Sequence, residues 1–220
     1  MRLTFLGTAA ANAFPEPFCG CDNCVAAWAE GGRSLRRRTA ALVNDDLLLD
    51  LGPDIMTASH SHGVSLGKVG YCLLTHPHAD HMDLSHLQSR SPGFGTVGAP
   101  LLHLYASAET LTRADRTFRR DLAGFGLLDG IAEAELNMRV HELRPSERVM
   151  IGEYEVIPLR ANHAPGLGAF LYAIRREGKA IFYGTDTAAL FDEVWAAFKR
   201  FELVFDLVVL DQTYGPEEAT

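Results

Sequence analysis

A single α/β domain is the fold class this sequence predicts, and three observations carry it. The chain has 220 residues, 47% of them hydrophobic, enough for one sizeable core. Short apolar runs of strand length at 69–74, 153–159, 169–175 and 179–183 are interspersed with helical patterns, the best of them the amphipathic stretch 188–201. Histidine and aspartate gather where such runs end.

The charge balance narrows the partners. Twenty basic against 28 acidic residues give a net charge of -8, which repels nucleic-acid phosphates, so no nucleic-acid partner is expected. A small anionic substrate held through metal remains compatible, because bound ions dominate the local field. No run is apolar for long enough to cross a membrane. The opening Met1-Arg2-Leu3-Thr4-Phe5-Leu6-Gly7 reads as a first strand and not as a signal peptide, so cytoplasmic residence is the default expectation. A homodimer is compatible with all of this.

After the first strand, the small residues of 7–15 read as an ordinary turn, with a loop beneath a site as the alternative. Cys19, Cys21 and Cys24 are three of the four cysteines. Thiolates this close in a cytosolic chain favour a structural zinc over a disulfide or free thiols. Three do not close a tetrahedral site, so a fourth ligand must come from elsewhere. Residues 25–30 read as a short helix ending at Gly31-Gly32. Arg33, Arg36, Arg37 and Arg38 then read as a solvated face, with phosphate contact as the other reading. Runs 40–43 and 47–50 form a hairpin turning at Asn44-Asp45-Asp46. A short helix over 55–59 follows, with Pro53 in its first turn and His60 and His62 at its exposed end.

The run 69–74, with Cys72 in the core, leads into Thr75-His76-Pro77-His78-Ala79-Asp80-His81. A histidine-rich solvated loop is the bland alternative. Against it, three of the nine histidines sit here, interleaved with a carboxylate at ligand spacing. Side chains of an extended segment alternate, so His76 and His78 share a side and can hold one ion. Asp80 and His81 follow where the chain turns, so they can reach a second ion nearby.

Downstream, 83–91 reads as helical with His86 on the surface, and 101–105 as a strand with a structural His103. Segment 108–138 alternates helical patches with glycines. Strands follow at 140–143, 153–159, 169–175 and 179–183, then the helix 188–201 and a buried strand 203–210 ending at Asp211. His163 and Asp186 each follow one of these strands.

The segment H-x-H-x-D-H at 76–81 resembles the signature of the metallo-β-lactamase superfamily. With the Gly-Thr loop and C-x-C-x2-C at 19–24, the chain is similar to the branch containing the phosphodiesterase of bacterial phosphonate breakdown. The resemblance implies an αββα sandwich holding two divalent ions, zinc or manganese, with iron as a further option. It implies that His163 joins His76 and His78 on one ion, that Asp80 and His81 begin the other, and that Asp186 bridges them. Asp50, in a family-like Asp-x-Gly segment, would support the ligands from behind. Cys19, Cys21 and Cys24 would hold the structural zinc. Asp211 would be an orienting carboxylate, Asp80 and Asp211 are both assigned catalytic parts, and segment 108–138 would be an insertion that shapes the substrate pocket.

Such a site generates hydroxide near neutral pH, so hydrolysis is the expected chemistry. The leading expectation is a phosphodiesterase for a small or cyclic phosphodiester. A lactone or thioester hydrolase is the enzymatic alternative, and a non-catalytic zinc-binding or incomplete form is the other. The last points to the end of the chain. In the resembling phosphodiesterases a general-acid His and two further His ligands follow the segment matching Asp211, and no His occurs after His163. The sequence is therefore expected to be a truncated form, lacking the last strand and helix.

Overall fold

The structure is a computed structural model and describes residues 1–213. Two sheets face each other. The first has six strands in sequence order, β1 (Leu3–Gly7), β2 (Ala40–Val43), β3 (Leu47–Leu49), β4 (Tyr71–Leu73), β5 (Leu102–Ala106) and β6 (Met138–Glu142). The second has five, in the order β11 (Leu207–Leu210), β10 (Lys179–Gly184), β9 (Phe170–Arg176), β8 (Tyr154–Arg160) and β7 (Val149–Ile151).

The alternation of strand side chains builds three apolar layers from these sheets. Between them, Ala41, Leu47, Leu49 and Leu73 of the first sheet pack against Tyr154, Val156, Tyr172 and Ile174 of the second. The intervening residues Leu42, Leu48, Cys72 and Leu104 face outward and are covered by helices α2 (Ile55–His62), α3 (Ser85–Gln88) and α4 (Ala108–Phe118). On the far side, Ile157, Leu171, Ala173 and Phe182 are covered by α6 (Asp192–Arg200). A strand buried on both faces reads as a continuous apolar run, which is why 69–74 shows no alternation. The layers are those of the expected αββα sandwich.

The hairpin is as read, with Ala41 opposite Leu49 and the turn entered through Asn44 at φ 50°. The first helix, α1, runs over Asp22–Glu30, with Cys21 as its N-cap residue. Helix α4 starts at Ser107, whose hydroxyl accepts from the Thr110 N–H at 3.2 Å. Its residues Leu111, Ala114 and Phe118 pack on the outer face of the first sheet, as does Leu136 of α5 (Ala132–Leu136). Strand β7, at three residues, is too short to show a period in the sequence. No helix among the described residues is long and apolar enough to cross a membrane.

Three expectations are corrected. The strand ending at Asp211 is not buried: Leu207, Val208 and Leu210 are 40–58% exposed, because β11 is the outermost strand of its sheet and pairs only with β10 among the described residues. Its apolar composition imitates a core strand. His86 is not a surface residue; its side chain is 8% exposed and Nε2 lies 3.1 Å from the Gly52 carbonyl oxygen. Arg38 is not part of a solvated face, since its guanidinium grips both oxygens of Asp54 at 2.8 Å, half-buried at the mouth of α2. Residues 214–220, and with them the expected point of truncation, lie outside the described residues.

Candidate metal centre

The two sheets meet at the end of β4. Leu74 N–H donates to the Tyr105 carbonyl of the first sheet at 2.9 Å, and one residue on, the Thr75 carbonyl accepts from Phe170 N–H of the second at 2.8 Å. The Tyr172 hydroxyl also donates to the Leu74 carbonyl. His76 therefore leaves the strand between the sheets and is only 1% exposed. A tight turn follows, with the His78 carbonyl accepting from the N–H groups of His81 and Met82 at 3.0 and 2.9 Å. That turn sends Asp80 and His81 away from His78.

Three imidazoles converge on one point. His78 Nδ1 lies 2.9 Å from His76 Nε2 and 3.2 Å from His163 Nε2. Next to them, Asp186 Oδ2 lies 2.8 Å from His81 Nε2 and 3.5 Å from His76 Nε2, and Asp80 Oδ2 is 3.3 Å from His81 Nε2. Within each of the sets His76–His78–His163 and His76–His81–Asp186, the ligand atoms lie within 4.8 Å of one another. The sets share His76, and Asp186 Oδ2 of the second set faces both His76 and His81. Asp186 at φ 51° and Asp50 at φ 65° both hold left-handed backbone conformations. Such conformations are disfavoured for residues with a side chain and cluster at functional sites.

A hydrogen-bonded chain behind the candidate ligands sets their tautomers. Asp50, fully buried, accepts from the backbone N–H and the hydroxyl of Thr75 at 2.7 and 2.9 Å, and from His81 Nδ1 at 2.8 Å. The Thr75 oxygen is in turn 3.0 Å from His76 Nδ1. With the Thr75 hydroxyl donating to Asp50, its oxygen is free to accept from Nδ1–H of His76. Nε2 of His76 is then a lone pair aimed into the cluster. Thr75 was not singled out in the sequence, nor were Asn162 and Thr187. Asn162 N–H donates to Thr187 Oγ1 at 3.0 Å, and its carbonyl accepts from Ala188 N–H at 2.9 Å, tying the His163 loop to the Asp186 loop. Their one signal was adjacency to candidate ligands.

Packing this many titratable groups together displaces their proton affinities. Burial opposes charge on His81, but Asp50, Asp186 and Asp80 overcome it and push its pKa up to about 12. Burial and the charge on His81 pull His76 down to about 3. Burial opposes the charge on Asp186 as well, yet its hydrogen bond to His81 brings it to about 2. Convergent imidazole nitrogens beside carboxylates are a donor set that fits divalent metal.

The site opens into a cleft of about 730 Å³ bordered by Asn12, Phe14, Arg36, Asp186 and Asp211. The loop 7–14 is thus one wall of that cleft and not an ordinary turn, a correction no local pattern announces. Arg36 lies over the Phe14 ring at 5.5 Å. Asp211 is exposed and accepts from the Thr213 hydroxyl at 2.6 Å. A second cavity, of about 580 Å³, lies beside His163, with Arg144 and Arg160 on its lining. Of segment 108–138, only Ala108 and Glu109 border either space; the rest packs outside the first sheet.

Away from this centre, the sulfurs of Cys19, Cys21 and Cys24 lie within 4.8 Å of one another at the start of α1, Cys24 buried and Cys21 exposed. The structure places no fourth protein ligand with them among the described residues. His103 Nδ1 pairs with His141 Nε2 at 2.8 Å, and neither joins a ligand set.

Comparison with known proteins agrees with the fold. A family described as "Beta-lactamase superfamily domain" matches residues 46–219. Anti-Pycsar protein Apyc1 of Paenibacillus sp. (strain J14) is 30% identical over 144 residues, 64% of this chain, and the chain spans 55% of that relative's length. Zn(2+)-bound PqqB from Methylobacterium extorquens superposes with a TM-score of 0.67 at 20% identity, covering 96% of this chain and 70% of the other. A diphosphatase from the PhnP family gives 0.68 at 20% identity, covering 94% and 71%. Human tRNase Z, short form, gives 0.63 at 19% identity, covering 94% and 76%. With its two facing sheets and its histidines gathered at a strand end, the chain belongs to the metallo-β-lactamase superfamily of hydrolases.

Proposed function

We propose that this protein is a binuclear metal-dependent phosphodiesterase acting on a small or cyclic phosphodiester. The observation that carries the reading is the pair of ligand sets sharing His76, with one oxygen of Asp186 directed at both His76 and His81. His76, His78 and His163 would hold one ion, Asp80 and His81 the other, and Asp186 both. Divalent ions there would supply an activated water near neutral pH and neutralise charge on a phosphoryl oxygen. Zinc and manganese both suit an imidazole and carboxylate set.

The chain's own residues do the rest. Asp50 and Thr75 fix the imidazole orientations, and the loop tie through Asn162 holds His163 against the cluster. The cleft wall presents Arg36 as a counter-charge for a substrate anion, and Asp211 at the cleft would orient groups beside Asp186. The names of the PhnP-family diphosphatase and of the tRNase support phosphorus chemistry. A structural zinc at Cys19, Cys21 and Cys24 belongs to the same proposal.

The test is hydrolysis of bis(p-nitrophenyl) phosphate against a lactone panel by metal-replete protein. Phosphodiester turnover that falls about 100-fold or more in Asp186→Ala, with thermal stability in metal little changed, is the expected result. Lactone turnover alone, or an active Asp186→Ala protein, would overturn the assignment.

A further inference from the structure

Arg90 is a half-buried cation outside the candidate metal centre, with its Nε shielded from solvent and its Nη2 at the exposed side. It borders a cavity of about 280 Å³ between the outer face of the first sheet and helices α2 and α3. Leu48, Leu51, Ile55, Cys72 and Leu87, all buried, line this space. The cavity shares no lining residue with the cleft beside Asp186.

The electrostatics of Arg90 are unbalanced. Its Nη2 donates to the Pro100 carbonyl, its buried Nε–H meets no protein acceptor among the described residues, and no described carboxylate forms an ion pair with it. Arg38, by contrast, is matched by both oxygens of Asp54. Burial holds the pKa of Arg90 below the ordinary arginine value. A guanidinium N–H shielded from solvent is costly unless it meets an acceptor, and a leucine-lined cavity suits an apolar group. One ligand would relieve both: an anion for the Nε–H and an apolar tail for the gap.

We propose that this cavity is a binding site for a small monocarboxylate with an apolar tail, its carboxylate on Arg90 and its tail among Leu51, Ile55 and Leu87. A single guanidinium matches one negative charge; the other basic residues on the lining are His60, which is exposed, and His86, whose Nε2 is already engaged with the Gly52 carbonyl. The planar fork of arginine pairs with a carboxylate through parallel hydrogen bonds. The volume falls just short of the roughly 300 Å³ at which drug-sized pockets begin, so the tail is of medium length.

Calorimetric titration of the metal-replete protein with decanoate, decanol and butyrate tests this. The expected result is one saturable decanoate site, with decanol and butyrate each at least about tenfold weaker. Arg90→Met should weaken decanoate about tenfold and leave decanol unchanged. Absence of decanoate binding overturns the site. Equal affinity for decanol removes the role of Arg90, and equal affinity for butyrate places the carboxylate on the metal centre instead; either result overturns the proposal. Should Arg90→Met fail to fold, Ala99→Phe, which intrudes on the lining, must weaken decanoate by about tenfold; unchanged affinity is again fatal to it.

Discussion

Asp50 Oδ2 accepts from Nδ1–H of His81 at 2.8 Å, and both side chains are sealed from solvent. The carboxylate also takes the Thr75 N–H, so one buried residue positions the start and the end of the ligand segment. Asp50→Asn keeps the volume but loses the charge that orients His81. Metal affinity is expected to fall about 10–100-fold with the fold retained, read by competition with a chromophoric chelator and by circular dichroism. Wild-type affinity in the variant would show that Asp50 is a core residue and nothing more.

Gly52 makes the same segment possible in another way. A Cβ there would sit 2.2 Å from the Asp80 carbonyl oxygen, a backbone atom that cannot swing aside. Gly52→Ala should displace the turn that carries Asp80 and His81, costing about 1–3 kcal/mol and lowering metal content. Thermal unfolding and elemental analysis check this, and an unperturbed variant would mean the turn is more plastic than its hydrogen bonds imply.

Metal binding should release protons. At pH 7 His81, with its pKa pushed up to about 12, is cationic and must lose a proton to offer Nε2. Metal affinity should therefore weaken about tenfold for each unit the pH falls. Calorimetry in buffers of different ionisation enthalpy counts the protons directly; a buffer-independent enthalpy would contradict this account of His81.

The metal-free protein has its own pH signature. His76, held to about 3 against an ordinary 6.5, stays neutral where the unfolded chain protonates, so its contribution to stability declines as pH falls from 6.5 toward 3. His81 acts in the opposite direction: its contribution is complete below 6.5 and is lost as pH rises toward 12. These two residues thus favour a stability maximum near pH 6.5, to be sought in thermal unfolding under chelator. Stability that rises steadily above pH 8 would argue against the buried charge on His81.

Two metal populations should separate by mutation. Cys19→Ser is expected to remove about one equivalent of zinc while metal at His76 and His78 stays, as measured by plasma mass spectrometry. Simultaneous loss from both sites would mean the thiols support the histidine centre.

The sequence by itself determined the family and pointed to the seed of the candidate site. His76, His78, Asp80 and His81 were legible because their spacing after an apolar run is a local pattern, and local patterns survive without coordinates. His163 and Asp186 needed a resemblance, since a lone polar residue after a strand says little. What only the tertiary structure decided is whatever depends on which surfaces meet. Thr75 became a link because Phe170 of the other sheet fixes its carbonyl while Asp50 takes its hydroxyl. The loop 7–14 became a cleft wall because the end of β11 lies across from it. The strand Leu207–Leu210 reads as core by composition and is exposed by position, because hydrophobicity belongs to a residue and burial belongs to its neighbours.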